Sequence, residues 1–152
     1  MSVRMSREEA FERMASTHTG IITTLRRDGM PISTPMWFCV HDGAIYFGTP
    51  SRSKKAARLR HNRQVGFLVE VGKRWAELWA VHLTGVATPV EDEATIERIT
   101  ALQSEKYAGF STPRREMPAN TRRFYESDER IIYRIDAEDR IVSWDNRKLG
   151  LA

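Results

Sequence analysis

The hydrophobic positions switch between a helical and a strand period along the chain. Ala10, Phe11 and Met14 recur at helical spacing, behind Ser6 as an N-cap and with Glu8 and Glu9 in the first turn, where carboxylates suit the helix dipole. This predicts a short helix over 6–16. Gly20–Arg26 is rich in β-branched residues and reads as a strand, and Arg27-Asp28-Gly29 reads as a hairpin turn, because Asp-Gly suits positions of positive φ. Pro31–Val40 reads as the second strand, His41-Asp42-Gly43 as a second turn and Ala44–Gly48 as the third strand. A polar loop, Thr49–Ser53, follows, and Ser53 caps a helix running to about Arg60. Gln64–Val71 is the fourth strand, and after a turn at Gly72-Lys73-Arg74 a long fifth strand is expected over Trp75–Val90. On it Trp75 and Trp79 would share one face.

Glu91–Tyr107 is the longest predicted helix, with an acidic first turn, Ile96, Ile99 and Leu102 at helical spacing and Gly109 to end it. Phe110–Pro118 reads as a loop and Ala119–Tyr125 as a short helix. Arg130–Ala137 and Arg140–Ser143 read as the last strands, joined by a turn at Glu138-Asp139. Six or seven short antiparallel strands with helices at the margins predict a mainly β fold, a small closed barrel. No repeat, low-complexity tract or linker divides the 152 residues, so one domain over 1–152 is expected, with a C-terminal strand and tail over 130–152. That length can bury a core without a metal or disulfide staple.

Charge sharpens this picture. The formal net charge is +4, but its distribution says more. Arg52, Lys54, Lys55, Arg58, Arg60, His61 and Arg63 follow one another with no acid between, and Lys73 and Arg74 come one strand later. The acids gather at Glu91–Glu93 and Asp136–Asp139, which predicts one strongly positive face. No nucleic-acid recognition motif accompanies the basic residues, so no nucleic-acid partner is expected. No apolar run is long enough to span a bilayer, and no membrane partner is expected. Met1–Glu12 is charged and lacks the apolar stretch of a secretion signal, and Cys39 is the only cysteine. Both point to a reducing cytoplasmic location. Cys39 sits between Phe38 and Val40 and reads as a buried small hydrophobe.

No familiar catalytic constellation is present. There is no Gly-x-Ser-x-Gly elbow, Walker loop or Gly-x-Gly-x-x-Gly, and His18, His41, His61 and His82 are too scattered for a metal site. The strongest local signal is Thr49-Pro50-Ser51-Arg52-Ser53-Lys54-Lys55, which joins a strand end to a helix start. Its hydroxyls and helix-start amides can donate to phosphate oxygens, Lys55 adds a point charge and Arg52 a guanidinium fork. A capped surface helix with solvated lysines would leave the same trace. The second signal is Pro35-Met36-Trp37-Phe38, apolar at consecutive positions where a strand on a closed core should alternate. Either both faces are buried, one in the barrel and one under a flat ligand or partner subunit, or a helix of the same chain covers the strand.

At these residues the chain resembles the split β-barrel superfamily typified by pyridoxamine 5'-phosphate oxidase, and within it branch B of the flavin/deazaflavin oxidoreductases. The matching blocks are Gly20–Leu25, Asp28-Gly29, Pro31, Pro35–Trp37, Asp42-Gly43, Ile45–Thr49, Ser53–Lys55, Leu59-Arg60, Val65 and Gly85, with Ser143–Gly150 like the ending of one subgroup. The resemblance implies a homodimer with two cofactor sites at its interface. It implies coenzyme F420 as cofactor, FMN being the alternative, and hydride transfer from reduced F420 to a small conjugated substrate. An FMN-dependent oxidase or reductase, and a carrier that binds the cofactor without turnover, remain open beside it. The ring would lie against Pro35, Met36 and Trp37. The phosphate would be held by Thr49, Ser51, Arg52, Ser53 and Lys55, with Lys54 as an electrostatic helper. Arg58 would join Arg52, Arg60, Lys73 and Arg74 in a basic strip for the cofactor's acidic tail. Such cofactors carry the chemistry themselves, so no catalytic residue is expected from the chain.

Overall fold

The computed structural model of the protein describes residues 2–127 and 129–151. Helix α1, Arg7–Ala15, is capped by the Ser6 hydroxyl, which accepts from the Glu9 amide at 3.1 Å. Strand β1, Gly20–Leu25, and strand β2, Pro31–Met36, form a hairpin whose turn places Gly29 at φ 82°. Asp28 keeps a negative φ, so only the glycine of the Asp-Gly pair needs the left-handed region. The expected second strand is in fact two: the chain breaks at Trp37-Phe38, and Cys39–His41 forms a separate β3. A turn with both Asp42 and Gly43 at positive φ leads to β4, Ala44–Pro50.

Helix α2, Lys54–His61, starts at Ser53 as expected, and β5 is Gln64–Val71. The long fifth strand is shorter than the sequence suggests. Trp75–Glu77 forms one 3₁₀ turn, and β6 runs Trp79–Pro89. Trp75 is therefore exposed while Trp79 is buried, and the two do not share a strand face. Helix α3, Glu93–Lys106, is capped by Asp92, and a 3₁₀ turn at Arg114–Glu116 precedes α4, Ala119–Ser127. Strands β7, Arg130–Ala137, and β8, Val142–Asp145, do not pair with each other. They lie end to end along one edge of β6, with Gly85 opposite Ala137 and His82 opposite Val142.

The antiparallel path runs β2-β1-β5-β6-β7-β4-β3, with β8 on β6. Met36 at one end of this path and Ile45 and Phe47 near the other belong to one buried cluster with Phe67, Val81, Leu83 and Tyr133, so the sheet curls around its core. Phe11 and Met14 of α1 and Leu59 of α2 join this cluster. The stripe of α3 packs Ile96, Ile99 and Leu102 on the outer face of β3, β4 and β7, against Cys39, Tyr46 and Ile132. That explains why β4 is buried on consecutive positions. The run at Pro35–Phe38 differs: Met36 and Phe38 are buried, whereas Pro35 and Trp37 are exposed. Burial pushes the Cys39 thiol up to about 11, in keeping with a structural role. No helix among the described residues is long and apolar enough to cross a membrane.

Candidate functional site

The end of β4 and the start of α2 are held by short local contacts. The Ser53 hydroxyl caps α2 by accepting from the Ala56 amide at 3.0 Å and pairs with the Thr49 hydroxyl, also at 3.0 Å. The Ser53 amide donates to Pro50 O, the Ser51 amide donates to Glu129 O at 2.7 Å, and Arg60 donates to Ser51 O at 2.9 Å. The loop is thus fixed before any ligand arrives. Arg60, expected in a tail-binding strip, is spent on bracing it.

Beside the loop opens a cleft of about 740 Å³. Met36, Trp37, Thr49 and Lys55 line it, as the sequence suggested. Pro35, Ser51, Arg52, Ser53, Lys54 and Arg58 do not. Ser53 stands behind Thr49 as the cap. Lys54 and Arg52 are exposed, and Arg58 donates to the Thr24 hydroxyl at 2.7 Å. Pro35 borders a second depression, described below. Lys73 and Arg74 follow the far end of β5 from α2, roughly 25 Å away along a strand of 8 residues, so they do not extend the loop.

The sequence reading missed most of the opposite wall. It comes from α3 and the segment after it: Gln103, Tyr107, Phe110, Arg114 and Tyr125, with Arg130 from β7. Tyr107 stacks on Trp37, rings 4.2 Å apart and 4° from parallel, and the edges of His18 and Phe110 close the cluster. The Tyr107 hydroxyl accepts the Phe38 amide at 2.8 Å and reaches His18 O at 2.7 Å, so α3 pins the break between β2 and β3. Arg130 lies across Gly48 and donates to its carbonyl at 3.2 Å. A β-carbon at Gly48 would fall 2.4 Å from the Arg130 Nε, so the absent side chain is what seats this guanidinium. The available signals were Gly48 itself and the acid-free stretch Gly109–Arg115.

The electrostatics of the cleft are one-sided. Among the described residues, Lys55, Arg114 and Arg130 line it and no Asp or Glu does. Burial, then Arg58 and Arg130, push the Lys55 ammonium below the ordinary lysine range. Desolvation pushes the Arg130 guanidinium down as well, with Arg114 adding to it against a counter-effect from Tyr125. Some cations elsewhere pair with carboxylates, as in Arg134–Asp136, Arg147–Asp145 and Lys148–Glu9. Clustered cations, of which Lys55 and Arg130 are partly desolvated, beside a flat aromatic wall fit an anionic ligand carrying a conjugated ring.

The sequence profile for pyridoxamine 5'-phosphate oxidase matches residues 6–134. The chain belongs to this family. Its fold is the mainly β split barrel. A conserved hypothetical protein from Mycobacterium tuberculosis is 35% identical over 99% of this chain and 91% of its own, with a TM-score of 0.81. A FAD-binding protein from Mesorhizobium loti superposes at a TM-score of 0.69 with 16% identity, over 91% of this chain and 94% of its own. The heme storage protein of Vibrio cholerae does so at 0.68 with 14% identity, over 95% and 96%. At such identities the likeness is one of fold. No curated protein matches the chain.

Proposed function

We propose that the protein is an F420-dependent oxidoreductase of the flavin/deazaflavin branch B, reducing a small conjugated organic substrate, and that it works in the cytoplasm as a homodimer. The observation that carries this reading is the cleft that joins Lys55, Arg114 and Arg130, with no carboxylate among the described residues, to the Trp37–Tyr107 wall. Lys55 and the Thr49 hydroxyl would hold the cofactor phosphate. Met36 and Trp37 would meet the ring. More cations stand here than one FMN phosphate needs, which favours the longer and more acidic deazaflavin. When bound, F420 supplies the hydride chemistry; the residues of this chain position it, shield it from water and neutralise its charge.

The homodimer rests on the outer face of the sheet. The strand registers place Ile21, Pro35, Leu68, Val86 and Val142 on the face opposite the core. Val86 and Val142 are exposed there. A trough of about 680 Å³ runs beside them, with Ile21, Pro35, Leu68 and Trp79 in its lining. A second copy would cover this face and set Pro35 against a partner.

The test is fluorescence titration with F420. Binding at micromolar cofactor, weakened at least tenfold in Lys55→Ala, is expected; no binding, or the same affinity in Lys55→Ala, overturns the reading. FMN uptake in its place would favour a flavin enzyme of this fold, the cofactor class named for the Mesorhizobium neighbour.

A further inference from the structure

The cations of the cleft come from separate elements and need not serve one group. Lys55 stands at the start of α2 with the Thr49 hydroxyl. Arg130 stands at the start of β7, and Arg114 comes from the 3₁₀ turn after α3, with the Ser111 and Thr112 hydroxyls also lining the cleft. Arg130 is oriented by its seat on Gly48 and its bond to the Gly48 carbonyl. Arg114 lies over the Tyr125 ring at 5.5 Å. Among the described residues neither guanidinium has a carboxylate partner. Both guanidiniums line the one cleft, and Arg114 acts on Arg130 by charge repulsion, which is relieved when a planar anion accepts from both.

Resting on the functional reading above, we propose that Arg114 and Arg130 form a second anion seat in the cleft, distinct from the Lys55–Thr49 phosphate position, and that it takes a carboxylate of the bound ligand. A lysine offers a compact point charge that suits a phosphate. Paired guanidinium forks match the planar geometry of a carboxylate. The hydroxyls of Ser111 and Thr112 can donate to the same group. The segment 110–125 thereby acts as an arm that reads ligand charge, whereas α2 reads the phosphate. Two sources of the carboxylate share this chemistry: the acidic tail of the cofactor, and an acid group on the substrate.

Two titrations test the seat. In the first, wild type, Arg114→Gln, Arg130→Gln and Lys55→Gln are titrated with F420 bearing its glutamate tail and with the tailless, phosphate-free deazaflavin chromophore. If the seat holds the tail, the arginine variants lose at least tenfold in affinity for F420 and less than twofold for the chromophore. In the second, a γ-linked triglutamate peptide and a set of aromatic carboxylic acids are titrated by calorimetry, without cofactor. Loss of aromatic acid binding in the arginine variants, with F420 affinity intact, assigns the seat to the substrate. Unchanged affinity of both arginine variants for every one of these ligands overturns the inference, and does so even if F420 binds through Lys55. If F420 does not bind but the arginine variants lose carboxylate binding, the seat stands and the cofactor reading falls. Circular dichroism melting of each variant separates lost folding from lost binding.

Discussion

Trp37 and Tyr107 lie face to face, 4.2 Å apart, and so tie the break between β2 and β3 to the end of α3. The Tyr107 hydroxyl completes the tie by accepting the buried Phe38 amide. In Tyr107→Phe the stack survives but that amide loses its partner, at a cost of about 1–3 kcal/mol. A lower urea midpoint with ligand affinity shifted in parallel is the expected outcome. An unchanged midpoint would show that the hydroxyl does not hold the break.

Two glycines predict opposite behaviour on substitution by alanine. At Gly85 a β-carbon would sit 2.2 Å from the carbonyl oxygen of Asp136, a backbone atom in the β6–β7 ladder that cannot swing away. Gly85→Ala should cost about 3 kcal/mol or prevent folding. At Gly48 the obstructed atom belongs to the flexible Arg130 side chain. Gly48→Ala should therefore melt within a few degrees of wild type while losing roughly tenfold, about 1.4 kcal/mol, in anion affinity. Melting curves and anion titrations on the pair check both statements.

These two positions also show where the sequence was readable. Gly85 was visible within a matching block, and Ser53, Asp42-Gly43 and the stripe of α3 announced their elements, because caps, turns and periodic burial are local properties. Trp75 misled because Trp-Ala-Glu-Leu-Trp reads as strand. Gly72 at φ 115° bends the chain there, and the Glu77 carboxylate accepts from the Arg74 amide, so a 3₁₀ turn forms instead. Arg114 and Arg130 were illegible because their neighbours in the cleft come from β4 and α3, and only the folded chain brings these together.

Lys106 should give the stability curve a rise at alkaline pH. Its ammonium donates to Phe38 O at 2.8 Å and sits 4.0 Å from the Phe38 ring centroid, and burial pushes it down to about 8. An unfolded lysine titrates near ~10.4. Between these values the unfolded chain binds more protons, so this group adds stability as pH rises from about 8 to about 10, and its penalty is full below pH 8. Unfolding midpoints of wild type relative to Lys106→Met should move in favour of wild type over that window. A constant difference from pH 7 to pH 10 would contradict the assignment.

Cys39 should resist thiol reagents in the native protein. It is 4% exposed, and burial holds its thiol near 11, so almost no thiolate forms at pH 8. Labelling by Ellman's reagent should follow the rate of unfolding and accelerate with urea; rapid labelling without denaturant would place the sulfur at the surface.

The two ends of the chain are sewn into one seam. The Asp145 amide donates to Val3 O at 2.7 Å, the Met5 amide to the Ser143 hydroxyl at 3.1 Å, and Lys148 to Arg4 O at 2.9 Å while pairing with Glu9. Asp145, almost wholly buried, receives Arg147 and Arg13 at the same place. The molecule therefore carries its own ruler: a donor dye near residue 2 and an acceptor near residue 151 would sit close together in the native protein, and their separation would report the opening of the seam as a change in energy transfer.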